Sequence, residues 1–460
     1  MALPDTDVAV IGAGPAGIAA ARGLLAEGLR VTVIDPGLPP ASRVESLPPH
    51  GIALAVALGL GPALDRAGLG RASAMRLHWR ERPETREFGP DGPLLLDKAM
   101  LYRGLRDLVP PECLLQARVR SVQGDGDRVL VRHRQGNLSA RFVIDARGSA
   151  GLRAPRGRGA AQVALSFSGR AGHAPGTCGM LLQALADGWL WASLLADGSL
   201  SGALFLAASG LAGRDASARA AVLRQHLQDS VLGLPANLVT GTAVPAMLRT
   251  ADDSLADPLV LRIGDAALAR DPIAAHGLVH ALRSGAQAAA AAATILDPSG
   301  QADAARAFVR DRHREAVRTA REATARAHGD QAQHRSAFWS AAPPVPVPEA
   351  PGWPPLSQPL SLSAPCRTAM LDKGRIGWAE AIRLPQSGQA VPRFGPVTAA
   401  FVAHLLGPPA PITTLSARLE QALDPSLAQA ILRQLLDGGA LLRHGPALAA
   451  QALAADASNA

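Results

Sequence analysis

A chain of 460 residues that is 48% apolar and 18% charged is long enough for two or three domains and too apolar to be disordered throughout. Its formal charge of +8 rests on arginine, because Lys98 and Lys373 are the only lysines, and the basic residues are mixed with acids, which argues against a nucleic-acid partner. Cys113, Cys178 and Cys366 are odd in number and far apart, so neither a disulfide framework nor zinc-type spacing can be built, and no metal is expected.

The chain moves from MALPDTD straight into the apolar run 8–11, leaving no room for a signal peptide. Its most apolar stretches, 51–64 and 288–296, are too short to span a bilayer. A cytoplasmic protein with no membrane partner is therefore expected. The run 8–11 reads as a buried parallel strand and leads into Gly12-Ala13-Gly14-Pro15-Ala16-Gly17, which is G-x-G-x-x-G in position. Gly12 permits a tight turn, Gly14 lets a pyrophosphate approach the backbone, and Gly17 lets the following helix pack against the strand. A helix over 16–26, a stop at Gly28 and a strand over 31–34 end in Asp35, whose carboxylate can accept both hydroxyls of an adenosine ribose.

Beyond Asp35, the polar trio Arg43, Glu45 and Ser46 precedes a loop at Pro48, Pro49 and Gly51 and an apolar helix from about Ile52. The trio lies within reach of a bound dinucleotide or serves only as an exposed connection and helix cap; both readings are open. Short antiparallel strands are expected over 77–96. An amphipathic helix over 94–110 follows, with Leu101, Leu105 and Leu108 on one side. Lys98 at its start suggests an anionic partner such as a phosphate, or is plain surface charge. Strands over 117–122 and 129–133 flank the turn GDGD, and 142–144 returns to the first sheet, ending in Asp145 before Gly148.

From 151 to 244 strands alternate with loops. Trp189 and Trp191 fall on one face of a strand, where they wall a pocket for a planar substrate or belong to the core. At 258 the dinucleotide fold resumes: strand 259–263, then Gly264 and Asp265, a loop through Asp271, Pro272 and His276 to Gly277, and a long helix from about Leu278 whose positive end faces the crevice. Helix continues to about 327. The proline-rich stretch 341–393 reads as an extended linker or as a segment wrapped over the main body. From 394 onward helix, helix and strand, with Thr414 as a cap, suggest a small winged-helix-like module that recognises a peptide or protein partner, or acts as a dimerising appendage.

GAGPAG with Asp35, VIDARG, and IGD followed by DPIAAHG together resemble, over roughly 5–340, the FAD-dependent monooxygenases built like aromatic hydroxylases and flavin-dependent halogenases. The resemblance implies an α/β protein: a Rossmann-like FAD-binding domain over 1–150 and 258–340, a β-rich substrate domain over 151–257, a linker over 341–393, and a small helical, winged-helix-like module over 394–460. It implies that the glycines 12, 14 and 17 bind the FAD pyrophosphate, Asp35 the adenosine ribose, and Gly264 and Asp265 the ribityl and pyrophosphate region. Residues 272–277, Pro272 to Gly277, would line the isoalloxazine, with His276 at the flavin edge as the catalytic candidate. Arg43, Ser46, Lys98 and Val119 are counted with the cofactor residues, although the family usually has an arginine where Lys98 stands.

VESLPP, DGWLWASLLADG, DPIAAHGLVHALRSG and HRSAFW narrow the resemblance to halogenase-like flavoproteins that mature protein-derived quinone cofactors by hydroxylating a tryptophan. That implies reduction of FAD by NAD(P)H or a separate flavin reductase, O2 addition to form a C4a-hydroperoxide, and oxygen transfer to an aromatic ring of a peptide or protein substrate. Flavin halogenases carry W-x-W-x-I-P and a lysine; here Ser193-Leu194 replaces Ile-Pro and no lysine precedes Lys98, so halogenation of an indole or pyrrole is the weaker reading. A non-catalytic FAD-binding peptide scaffold is the rival of another class.

Overall fold

The computed structural model describes residues 5–151, 162–172, 175–246, 248–251, 253–255, 257–274, 276–340, 359–363 and 365–443. It divides into two compact units, one comprising 1–296 and 309–345 and the other 297–308 and 346–460.

In the first unit, the strand Asp5–Ile11 runs parallel to Val31–Asp35 on one side and to Gly136–Asp145 on the other, in a seven-stranded sheet. Its residues 6–11 are fully or nearly fully buried, as an unbroken apolar run in a parallel sheet requires. The far edge of Gly136–Asp145 is shared. Its first half pairs antiparallel with Arg128–His133, and its last three residues pair parallel with Val260–Arg262. That second pairing brings residues 263–265, more than a hundred positions downstream, to the carboxyl end of the sheet beside Gly12. The helices Pro15–Ala26 and Gly277–Leu296 then pack together so closely that a side chain at Gly285 would meet the Ala16 carbonyl oxygen at 2.3 Å.

The same unit contains a nine-stranded sheet that includes Gln162–Arg170, Cys178–Leu185, Gly188–Leu194, Ser199–Ala207 and Ala236–Pro245, and draws in Gly68–His78, Leu94–Asp97 and Val44–Leu47. One face packs Leu165, Leu190 and Leu204 against Leu223 and Leu227 of the helix Ala216–Gln228. The other carries an aromatic cluster of Trp79, Trp189, Phe205 and Trp339. The amphipathic segment expected over 94–110 splits in two. Leu94–Asp97 is a strand paired with Val44–Leu47, and the helix is Lys98–Arg106, because the Asp97 carboxylate accepts the Met100 N–H at 2.7 Å and caps it.

In the second unit the helices Ala399–Leu406, Ile412–Glu420 and Pro425–Asp437 enclose a core with Val402, Leu415, Leu419, Ile431 and Leu435, closed by a small sheet in which Pro359–Leu362 lies between Ala410–Pro411 and Leu441–Arg443. Three helices and a small sheet agree with the winged-helix-like expectation. Thr414 lies inside the second helix, which Pro411 precedes, so the cap expected at Thr414 is displaced. Of the stretch expected as linker, 341–358 lies outside the described residues, while Pro359–Leu362, Pro365–Asp372 and Arg375–Leu384 are strands. Alternating burial along Arg375–Leu384 and the two-residue turn Lys373-Gly374, both at positive φ, account for that hairpin.

Candidate active site

The carboxyl ends of the parallel strands border an open crevice of about 640 Å³, the position at which doubly wound sheets bind ligands. Its floor is the glycine turn. Gly12 takes φ +107°, and a side chain on Gly17 would lie 1.9 Å from the Gly12 carbonyl oxygen, so only glycine permits this approach of helix to strand. Gly14 differs: among the described residues, its chain neighbours aside, no atom lies within 4 Å of where its side chain would project. The helix Pro15–Ala26 starts at that point with no side chain capping its amino end. Uncapped amides and open space at one helix start form a cradle that fits a pyrophosphate.

Asp35, 5% exposed, lines the crevice beyond the glycine turn. Its Oδ2 accepts the Ala13 N–H at 2.8 Å, and its Oδ1 accepts the Gly37 N–H at 2.7 Å and the Tyr102 hydroxyl. Burial, then the Asp35 hydrogen bond, pushes the Tyr102 phenol well above its usual range, so it stays a donor. Tyr102 escaped the sequence reading although it is the only tyrosine and lies one helical turn after Lys98. The spacing 98, 101, 102 is the signal that could have found it, since Lys98, Leu101 and Tyr102 all line the crevice.

Lys98 is ion-paired with Glu45. Burial raises the Glu45 carboxyl, but the Lys98 charge and hydrogen bond, with Arg43 beyond, bring it net below the ordinary range. Asp265 also faces the crevice; enclosure pushes its carboxyl up, with Lys98 opposing. At the opposite wall Asp145 holds Arg147 in a fork, with Nε to Oδ1 at 2.9 Å and Nη2 to Oδ2 at 2.7 Å. The start of the helix Gly277–Leu296 completes the crevice through Gly277, Leu278 and Ala281.

Of the residues singled out from sequence, Gly12, Ala13, Gly14, Pro15, Ala16, Asp35, Lys98, Val119, Asp265 and Gly277 are brought together around this crevice. Gly17 packs beneath the turn. Ser46 follows Glu45 on the strand Val44–Leu47 and Arg43 precedes that strand; neither lines the crevice. Pro272 begins the short 3-10 turn Pro272–Ala274. Gly264 and His276 line a neighbouring cavity instead. His276 takes φ +69°, a left-handed conformation that costs energy in a residue with a side chain, and stacks on His50 with ring centroids 5.6 Å apart. Trp189 and Trp191 do share a face, but Trp189 is 2% exposed and stacked on Phe205 at 3.6 Å, which makes it core, whereas Trp191 is half-buried. Among the described residues no group of three or more metal-ligating side chains occurs, and no helix is long and apolar enough to cross a membrane.

No family model matches the chain. Among solved structures, the peptidyl tryptophan dihydroxylase QhpG, essential for tryptophylquinone cofactor biogenesis, is similar over 95% of this chain and 99% of its own, at 27% identity and TM-score 0.72. The flavin-dependent halogenase CmlS is similar over 97% of both chains, at 19% identity and TM-score 0.76. HpxO of Klebsiella pneumoniae, solved with FAD and uric acid, matches 70% of this chain and 89% of its own, at 20% identity and TM-score 0.54. These last two likenesses show the fold. Among curated proteins, hydroxyneurosporene desaturase of Rhodobacter capsulatus is 51% identical over 47 residues, so the chain spans 10% of the length of that relative. A glycine cradle, a buried carboxylate and a helix start around one crevice fit FAD, on a fold that the chain shares with the peptidyl tryptophan dihydroxylase and with a flavin-dependent halogenase.

Proposed function

We propose that the protein is a monooxygenase that hydroxylates an aromatic ring, with tryptophan in a peptide or protein precursor of a quinone cofactor as the substrate. The observation that carries this reading is the likeness to the peptidyl tryptophan dihydroxylase, which extends over 95% of the chain at 27% identity. Lys98 supports hydroxylation over halogenation: it is the sole lysine before Lys373, and its ammonium is committed to Glu45 in the FAD crevice. It is therefore not available as the separate lysine of the halogenase pattern.

FAD, once reduced by NAD(P)H or a separate reductase, supplies activation of O2. The chain's own residues supply the rest. The amides at the start of Pro15–Ala26 hold the pyrophosphate, Asp35 fixed by Ala13, Gly37 and Tyr102 orients the ribose, and Asp265 and Lys98 sit toward the ribityl region. The amino end of Gly277–Leu296 favours negative charge at the flavin edge. His276 stands immediately before that helix with its ring in the neighbouring cavity beside His50, so its part in the proposal is to shape that helix start rather than to enter the crevice. An indole is nucleophilic without prior deprotonation, so the chain needs no strong base; positioning and exclusion of water suffice. A cytoplasmic setting and a peptide-recruiting role for the second unit belong to the same proposal.

The test is incubation of reduced holoenzyme, O2 and chloride with a tryptophan-bearing precursor peptide. Oxygen gain on the indole is expected. Chlorine gain would replace the reading with halogenation, and an unaltered peptide with flavin reoxidising at the rate of free flavin would favour the scaffold.

A further inference from the structure

The helix Gly277–Leu296 lines a second cavity on its other side. Residues 279, 280, 283, 284, 287 and 288 of the helix face a cleft of about 470 Å³ whose remaining walls are His50, His276 and residues drawn from 254–270 and 309–319. It is distinct from the FAD crevice: among the described residues Ile263 alone lines both.

The charge of the cleft is one-sided. Arg262, Arg270, Arg283 and Arg312 line it together with four histidines. Among the described residues the single carboxylate in its lining is Glu315, held by Arg312 at 2.6 Å. Polar atoms within it are buried without a hydrogen-bond partner in the described structure: His280 Nε2, Arg270 Nε and Ser254 Oγ. Burial, then the charges of Arg270, His313 and Arg283, holds His280 down at about 4, and burial with Arg283 lowers Arg270 as well. Cations crowded together with unmet donors are unfavourable unless an anion answers them.

The size and the apolar wall refine the anion. A cavity of this volume falls in the range that takes small organic ligands and exceeds what a bare halide or phosphate fills. Leu261, Val279 and Val309 give it apolar surface. We infer that the cleft is a second binding site for a phosphorylated organic molecule of mononucleotide size, its phosphate held by the arginines and its organic part against that apolar wall. The inference is independent of which ring the enzyme oxidises.

Calorimetric titration of FAD-saturated, full-length protein with AMP, inorganic phosphate and adenosine at fixed ionic strength tests it. AMP binds more tightly than phosphate, and adenosine gives no measurable heat. Arg283→Gln, at an exposed arginine, weakens AMP by at least about tenfold, ~1.4 kcal/mol, while flavin absorbance per protein is unchanged. Arg262→Gln, on a different element, repeats the loss and guards against a misfolded first variant. Phosphate matching AMP would reduce the cleft to a small-anion site and overturn the organic ligand. Absence of AMP binding, or binding that both variants leave intact, would overturn the site.

Discussion

The FAD crevice and the basic cleft lie on two sides of one helix, Gly277–Leu296, and are made of different materials. The crevice is made of backbone: uncapped amides at Gly14 and Ala16, glycines without side chains, and a few fixed carboxylates. The cleft is made of long cationic side chains gathered from several separate segments. Backbone recognition depends on approach distance, so a single methyl group decides it. Side-chain recognition is shared among many groups, so one substitution there has a graded effect.

The sharpest way to break this contrast is to add one methyl in two places. Gly17→Ala drives a side chain to 1.9 Å from the Gly12 carbonyl, which must displace backbone; a loss of stability of about 1–3 kcal/mol or more, together with loss of flavin, is expected in denaturant melts. Gly14→Ala meets no atom of the described residues beyond its chain neighbours, so its melt stays at the wild-type position while bound flavin falls. Equal damage from both would contradict the division into floor and cradle.

Next in size is a pH effect from the loop that feeds the helix. Asp271 is 3% exposed, and burial pushes its carboxyl up to about 6 despite the Ile273 N–H at 3.0 Å. The folded state therefore holds the proton more tightly than the unfolded chain. Its cost is absent below about pH 4, grows between about 4 and 6, and is complete above. Asp271→Asn should thus stabilise the protein by roughly 2–3 kcal/mol at pH 8 and leave it unchanged at pH 4. A gain independent of pH would show that the carboxylate is not the cause.

Tyr102→Phe removes the donor that fixes Asp35 Oδ1. If the tyrosine preorganises the ribose carboxylate, FAD dissociates roughly three- to tenfold more readily, worth ~1 kcal/mol; tighter binding would mean that it competes with the ribose. The smallest expected effect is at His276, where glycine accepts φ +69° without strain. His276→Gly should raise stability by about 0.5–1 kcal/mol in the flavin-free protein while lowering turnover. No gain in stability would show that the conformation carries no strain.

How much could be read from sequence follows the same division. The glycine turn, Asp35, Asp265 and Gly277 were legible because backbone recognition is local and periodic: strand, turn and helix leave a fixed spacing. Tyr102, the Asp145–Arg147 fork and the cleft arginines depend on which side of a helix or strand end meets which partner, and tertiary packing sets that. Trp189 was read correctly as sharing a face with Trp191, but its burial against Phe205 depends on a neighbouring strand that its own spacing does not reveal. The strand Pro359–Leu362 was hidden by its proline-rich surroundings, since its partners lie about fifty and eighty residues later.

The central claim is oxygen transfer from FAD chemistry to an aromatic ring, and isotopic mass spectrometry tests it most directly. Reduced holoenzyme mixed with a tryptophan-bearing precursor peptide under 18O-labelled O2 should yield a peptide whose added oxygen carries the label on the indole. Unlabelled oxygen, added chlorine or an unchanged peptide would contradict the account.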